Sequence, residues 1–201
     1  MVPLPDFSGY LFAKRLDSIH QAFIAAAHAL NALVEEKLRD LAVYEREVEE
    51  GMDPIEHRDA DGFLIWSQDQ LLEVRISDAE EALQSVHKAT VIAAYHAWED
   101  ATRRFTKIGN RGDHGHLVEA LAEHGVAAHE DLDWIVLLVN TLKHGNPVKG
   151  RKLHNKRPEL FRPGFRPERA DVDWPGAIVL SLDKVELVIE RLGRSGPVTH
   201  F

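Results

Sequence analysis

Three polar residues, Asn140, Lys143 and His144, stand near the end of an otherwise apolar segment, LLVNTLKHGNP. In a helix, the spacing i, i+3 and i+4 places all three side chains on one face. An imidazole there can act as a general acid or base, and a lysine can stabilise negative charge. The same residues also suit an ordinary helix C-terminus, where Lys and His complement the helix dipole and Gly145 adopts a left-handed conformation. Both interpretations are open at this point.

A dense basic segment continues from this pattern. Residues 143–169 contain nine Lys or Arg and two acids, a net charge of +7 in a chain whose net charge is −9. Cationic side chains can contact phosphates, so five of them are candidate nucleic-acid contacts: Arg151, Lys152, Lys156, Arg157 and Arg162. A solvated basic loop that neutralises an acidic body or an acidic partner would have the same composition.

Aromatic residues alternate with these bases. Phe161 and Phe165 lie between arginines, a composition typical of surfaces that stack single-stranded bases and contact phosphates. A proline-rich arm that anchors its aromatic side chains in a neighbouring core would look the same. We favour anchoring over base stacking for these residues and for Trp134 and Trp174.

Composition excludes several classes of protein. The 201 residues are 44% apolar and 28% charged, as in a folded globular protein. Cysteine is absent, which excludes disulfide frameworks, thiolate metal sites and thiol nucleophiles. No stretch approaches 18 uncharged apolar residues and the N-terminus lacks a signal-peptide pattern. We therefore expect a soluble, cytoplasmic protein that does not bind membranes.

Signposts of cofactor chemistry are also missing. The sequence has no GxGxxG, no P-loop and no Gly-x-Ser-x-Gly pattern. Its twelve histidines include the compact Asp113, His114 and His116 group, but no His-Glu-x-x-His motif. We therefore expect no metal ion and no cofactor.

Apolar periodicity predicts two long helices. Residues from Leu16 to Leu33 recur at steps of three and four, so the first helix should start near Arg15 and run to about Glu50. After a turn-rich segment, residues 63–66 could form a short buried segment, either strand-like or a loop. Ser67 and Gln70 form a capping-box pattern that opens a second helix over residues 69–105. Each helix needs the other's apolar stripe, so the two should pack antiparallel.

Shorter helices should follow. We expect one at residues 116–123, one at residues 132–143 and a last one that begins at Ser181 or Asp183 and ends at Gly193. Five prolines argue against regular structure over residues 146–175, which we interpret as a basic, proline-rich arm. The fold class should be all-α, with residues 1–201 forming a single helical-bundle domain built on the long hairpin.

The segment DLDWIVLLVNTLKHGN and the RPELF downstream resemble the bacterial HEPN-like proteins, whose last core helix carries an Arg and a His with four to six residues between them. In many members a polar residue, often Asn, follows that Arg. Asn140 and His144 reproduce the spacing between this polar residue and the His. An earlier helix, AYHAWEDATRRF, is similar to the family helix in which an aromatic and a carboxylate recur, here Trp98 and Glu99. The resemblance spans residues 85–161.

This resemblance implies metal-independent RNA cleavage in an effector of a toxin–antitoxin or anti-phage system. His144 would move protons, Asn140 would orient the phosphate or the His, Lys143 would stabilise charge, and Glu99 would support them. The position of the family's Arg is occupied by Val139. The alternative is therefore a catalytically silent HEPN-like subunit that scaffolds or regulates a separate effector.

Assembly is the last expectation. A long hairpin exposes two faces, and the remaining short helices can cover only part of them. We expect a homodimer, or a hetero-assembly with the product of a neighbouring gene, in which the helix of residues 132–144 lies near the interface. RNA is a possible further partner.

Overall fold

In the computed structural model, residues 7–109, 112–169 and 171–197 are described. Within these ranges the structure has seven α-helices, a 3₁₀ turn and a two-stranded sheet: α1 Ser8–Glu49, β1 Glu56–Arg58, β2 Leu64–Ser67, α2 Gln68–Thr106, α3 His114–Glu123, α4 Leu132–His144, α5 Pro147–Lys156, the 3₁₀ turn Pro158–Leu160, α6 Trp174–Ala177 and α7 Leu182–Arg194. The all-α prediction is confirmed, and the long helices α1 and α2 pack together.

The chain divides into two compact units. The first comprises Met1–Phe23 and His87–Phe201, and we call it the body. The second, Ile24–Val86, contains the distal parts of α1 and α2 with the β-hairpin between them. From here on we call this unit the arm; it does not include the proline-rich segment of residues 146–175. This division describes packing, so the expectation of a single domain stays a prediction.

Helix α1 begins earlier than its apolar periodicity predicted. It starts at Ser8 rather than near Arg15, because Phe12 contributes one more buried turn above Leu16. Within the body, α1 meets α2 through the edge-to-face rings of Phe23 and His87, at 5.5 Å between centroids. Burial of apolar side chains extends the helix past the point where the sequence pattern alone is clear.

In the arm, β1 and β2 form an antiparallel hairpin in which Glu56 pairs with Ser67. The prediction of a buried segment at residues 63–66 is wrong in its burial. Phe63 is 70% exposed and Ile65 is 56% exposed. The predicted capping box is confirmed, since the Ser67 amide donates to Gln70 Oε1 at 3.2 Å where α2 begins.

The core of the body surrounds α4. This helix buries its apolar stripe, including Ile135 and Leu138, against α5, α6 and α7. It ends as predicted, with Gly145 in the left-handed conformation at φ 57°. The helix α3 begins two residues before its predicted start, because the carboxylate of Asp113 caps it by accepting from the amide of His116.

The prediction that residues 146–175 lack regular structure is wrong. Helix α5 begins inside this segment, because Asn146 caps it through the amides of Val148 and Lys149 and Pro147 occupies its first turn. Proline is well tolerated at that position, since the amide it lacks would have no partner there. Ala170 of the segment lies outside the described residues.

The aromatic side chains of this segment pack inward. Phe161 and Trp174 are buried, and Phe161 stacks on Phe165 with 4.9 Å between the ring centroids. The guanidinium of Arg157 lies 4.1 Å from the ring centroid of Trp134, a cation–π contact. Anchoring, the interpretation favoured from the sequence, therefore describes these rings better than base stacking.

None of the described helices is both long and apolar enough to cross a membrane.

Candidate functional site

A cleft of about 450 Å³ opens in the body, next to the last turn of α4. Two of the three residues singled out by their spacing line it, namely Asn140 and Lys143. The other lining residues come from α2, from the start of α3, from α4 and from α5: Tyr95, Glu99, Asp113, His114, Gly115, Val136, Val139 and Lys149. Four helices thus bring two lysines, two carboxylates and an imidazole to one concavity.

The first polar chain at this cleft links α2 to α4. Lys143 Nζ lies 3.1 Å from Nε2 of His96, and Nδ1 of His96 lies 2.9 Å from Oε2 of Glu99. A carboxylate can only accept and an ammonium can only donate. Neutral His96 therefore carries its proton on Nδ1, donates to Glu99 and accepts from Lys143. The other oxygen of Glu99 faces the guanidinium of Arg103 at 3.7 Å.

A second polar pair joins α2 to α3. The hydroxyl of Tyr95 and Nδ1 of His114 share a hydrogen bond of 3.0 Å. Burial raises the pKa of Tyr95 well above its usual value, with Glu99 adding to the effect, so the phenol stays neutral. Burial also lowers the pKa of His114 below 6.5. His114 is consequently a neutral imidazole at pH 7 that can accept a proton.

His144 does not line this cleft. It is exposed at the C-terminal end of α4, where the helix dipole favours a cation. Asn140 is held by its own helix, since its Nδ2 donates to the carbonyl of Val136 at 2.8 Å. The structure therefore brings Asn140 and Lys143 to the cleft and leaves His144 in the position of a helix-end residue.

The supporting role expected of Glu99 has a geometric basis, because its carboxylate positions His96. The sequence spacing did not predict a catalytic role for three further residues that line the cleft, Tyr95, His114 and Lys149. One signal was present in the sequence, since Tyr95 and Glu99 are four residues apart and share a helical face. The sequence pattern indicates His114 only as a possible metal ligand, because its partner Tyr95 on α2 is 19 residues away.

The five bases expected to contact nucleic acid have different environments. Arg151 and Lys152 are exposed on α5, and Arg162 is exposed after the 3₁₀ turn. Lys156 pairs with Asp133 at 3.4 Å. Arg157 pairs with Glu159 and covers Trp134, so its first role is structural. Lys149, on the same helix as Arg151, lines the cleft itself and connects it with this basic surface.

Val139 occupies the position at which the resembled family carries Arg. Its side chain is buried and forms part of the cleft wall. A cation at this position would therefore face the cleft from α4, one turn before Lys143. Lys143 and Lys149 are the two ammonium groups among the described lining residues.

Metal chemistry gains no support from the described part of the chain, where no three His, Asp or Glu side chains come close enough to hold a metal ion. The comparisons with known proteins add no family. No protein-family model matches the sequence, and no curated protein or solved structure is detectably similar to it. The described residues form an all-α helical bundle with a polar cleft beside α4.

Proposed function

We propose that this protein is a cytoplasmic HEPN-like effector that binds RNA and cleaves it without a metal ion, in the cleft beside α4. The observation that carries the proposal is the presence of a neutral imidazole, His114, and an ammonium group, Lys143, on the walls of one cleft. A role in a toxin–antitoxin or anti-phage system rests on the HEPN-like resemblance.

The reaction that suits these groups is transesterification within RNA. The 2′-oxygen forms a bond to the adjacent phosphorus while the bond from phosphorus to the 5′-oxygen breaks. His114 can accept the proton of the 2′-hydroxyl, since burial keeps it neutral. Lys143 and Lys149 can stabilise the extra negative charge on the phosphorane. Lys143 can then donate a proton to the leaving 5′-oxygen, and the product carries a 2′,3′-cyclic phosphate.

The basic surface beyond the cleft supports RNA as the substrate. Lys149 connects the cleft with exposed Arg151 and Lys152 on α5, so a chain of phosphates leaving the cleft can contact successive cations. Asn140 also lines the cleft, and we propose that it orients a phosphate. His144 stays a candidate only as an outer contact, because it does not line the cleft.

The test is incubation of purified protein with labelled RNAs in EDTA, followed by analysis of the product ends. We expect cyclic-phosphate ends, together with a loss of about 100-fold to 1,000-fold in rate for Lys143→Met or His114→Ala. Lys14→Met, an exposed lysine on α1, is the matched control and should retain the wild-type rate. Wild-type inactivity on diverse RNAs, or equal activity in Lys143→Met, would refute the proposal.

A second candidate function is favoured by one specific observation, the buried Val139 in the cleft wall. If the family's Arg is essential, the protein is a catalytically silent HEPN-like subunit that assembles with itself or with a separate effector. In either form we propose that α4 lies near a subunit interface. RNase activity gained by Val139→Arg would support this alternative, and Val136→Arg, on the same wall, is the positional control.

A further inference from the structure

The arm is poorly covered by its own residues. All of its residues, Ile24–Val86, are described, and its buried apolar side chains are Ala27, Tyr44, Leu72 and Ala79. Eight large apolar side chains of the arm are exposed instead: Leu33, Leu38, Val43, Ile55, Phe63, Leu64, Ile65 and Val74. Where such side chains adjoin one another, they offer an apolar surface to a partner.

The β-hairpin concentrates this exposure. Phe63, Leu64 and Ile65 follow one another at the start of β2, and all three side chains are exposed. The hairpin therefore offers consecutive apolar side chains to a partner.

Charge identifies the kind of cover. The arm has 16 acids and five bases, a net charge of −11, whereas the rest of the chain has a net charge of +2. Two arms packed side by side would bring together like charges. A basic surface with an apolar residue in it would complement the arm instead.

The same chain carries such a surface. Residues 143–169 have a net charge of +7, and on α5 the exposed Arg151 and Lys152 lie on the same helix as Val148, which is 57% exposed. We call the exposed Val148, Arg151 and Lys152 the basic α5 surface. We propose that the acidic, apolar arm of one copy docks on the basic α5 surface of a second copy. The arrangement is reciprocal, because each copy offers one arm and one basic surface, so two contacts of the same kind can close a dimer.

This contact uses Arg151 and Lys152, which the proposed function also assigns to RNA, so it is tested on protein free of RNA. It lies on α5, which packs against α4. Light scattering of the full chain at micromolar concentration should give twice the mass of one chain at about 0.05 M salt. The mass should fall towards that of one chain at about 1 M salt, where the Debye length is about 3 Å. A purely apolar or α4-centred dimer would persist in salt.

Two variants separate the two surfaces. Phe63→Ser with Ile65→Thr replaces two of the exposed apolar side chains of the hairpin, and Lys152→Glu with Lys156→Glu reverses charge on α5. All four side chains are exposed, so both variants should fold, and circular dichroism checks this. Each variant alone should be monomeric. Their controls are Val179→Ser, and Lys14→Glu with Arg104→Glu, which alter exposed residues of the body and should remain dimeric.

Mixing the two variants gives the decisive result. The first retains its basic surface and the second retains its arm, so an equimolar mixture should regain a complex of two chains through one intact contact. A monomeric wild type, dimers that survive in either variant, or a mixture that stays monomeric would each overturn the proposal.

Discussion

Lys143 Nζ lies 3.1 Å from His96 Nε2, although 47 residues separate the two in sequence. The contact fixes the tautomer of His96, because Glu99 accepts a hydrogen bond at the other ring nitrogen. Nε2 of His96 also accepts a hydrogen bond from the ammonium group of Lys143 and so holds that group at the cleft wall. Lys143 is thereby positioned by α2 as well as by its own helix.

The tautomer can be observed directly. We expect the ¹⁵N chemical shifts of His96 to show a protonated Nδ1 and an unprotonated Nε2 at neutral pH. Lys143→Met should shift the Nε2 resonance, since its donor is removed, and leave Nδ1 protonated. Exposed His144 serves as the internal reference within the same spectra. A His96 proton on Nε2 in the wild type would contradict the hydrogen-bond chain described above.

His114 should make folding stability depend on pH. Its folded-state pKa is lowered by burial, so the unfolded chain binds more protons than the folded chain as the pH falls below about 7. Its contribution opposes folding increasingly as the pH falls through 6.5 towards the folded-state pKa, and becomes constant below that value. The glutamine of His114→Gln cannot titrate. The free energy of unfolding of this variant, measured with urea, should therefore depend less on pH between about pH 5 and 7.5. His28→Gln, exposed on α1, should keep the wild-type slope, and an unchanged slope in His114→Gln would contradict the assignment.

Gly150 leaves room for the ring of Trp174. A Cβ at position 150 would lie 2.2 Å from Trp174 Cε3, and Trp174 is only 3% exposed, so it cannot move aside. Gly150→Ala should lower the free energy of unfolding by about 1–3 kcal/mol, measured by urea denaturation. Gly115→Ala on α3 is the matched control, because its Cβ would meet Asp113 Oδ1 at 3.4 Å without a clash. Equal stabilities of the two variants would exclude the steric explanation.

Tyr44 connects α1 to the start of the β-hairpin. Its hydroxyl accepts a hydrogen bond of 3.0 Å from the amide of Ile55, and its side chain is 9% exposed. Tyr44→Phe should keep the packing and lose this bond, at a cost of about 0.5–1.5 kcal/mol. Hydrogen exchange should show faster exchange at the Ile55 amide. Tyr10→Phe, at an exposed ring, is the control, and wild-type protection of that amide in Tyr44→Phe would argue against the contact.

The sequence by itself determined the all-α class, the two long helices and the end of α4. These features depend on local properties: an apolar period of three and four, the Ser67 to Gln70 cap and the left-handed freedom of Gly145. It also contained the cap of α5, since Asn146 followed by Pro147 is a helix start, but the density of prolines obscured it. Because Pro147 directly follows a capping Asn, it favours a helix start and does not argue against α5.

Only the tertiary structure decided which residues share the cleft. His96 and Lys143 lie on different helices, as do Tyr95 and His114, and no local spacing encodes either pair. Asn140 and His144 share a helical spacing, yet the cleft includes the first and excludes the second, because the cleft lies where side chains of α2, α3, α4 and α5 meet. Burial likewise set the pKa of His114, and burial depends on the whole body rather than on the neighbours of a residue in the chain.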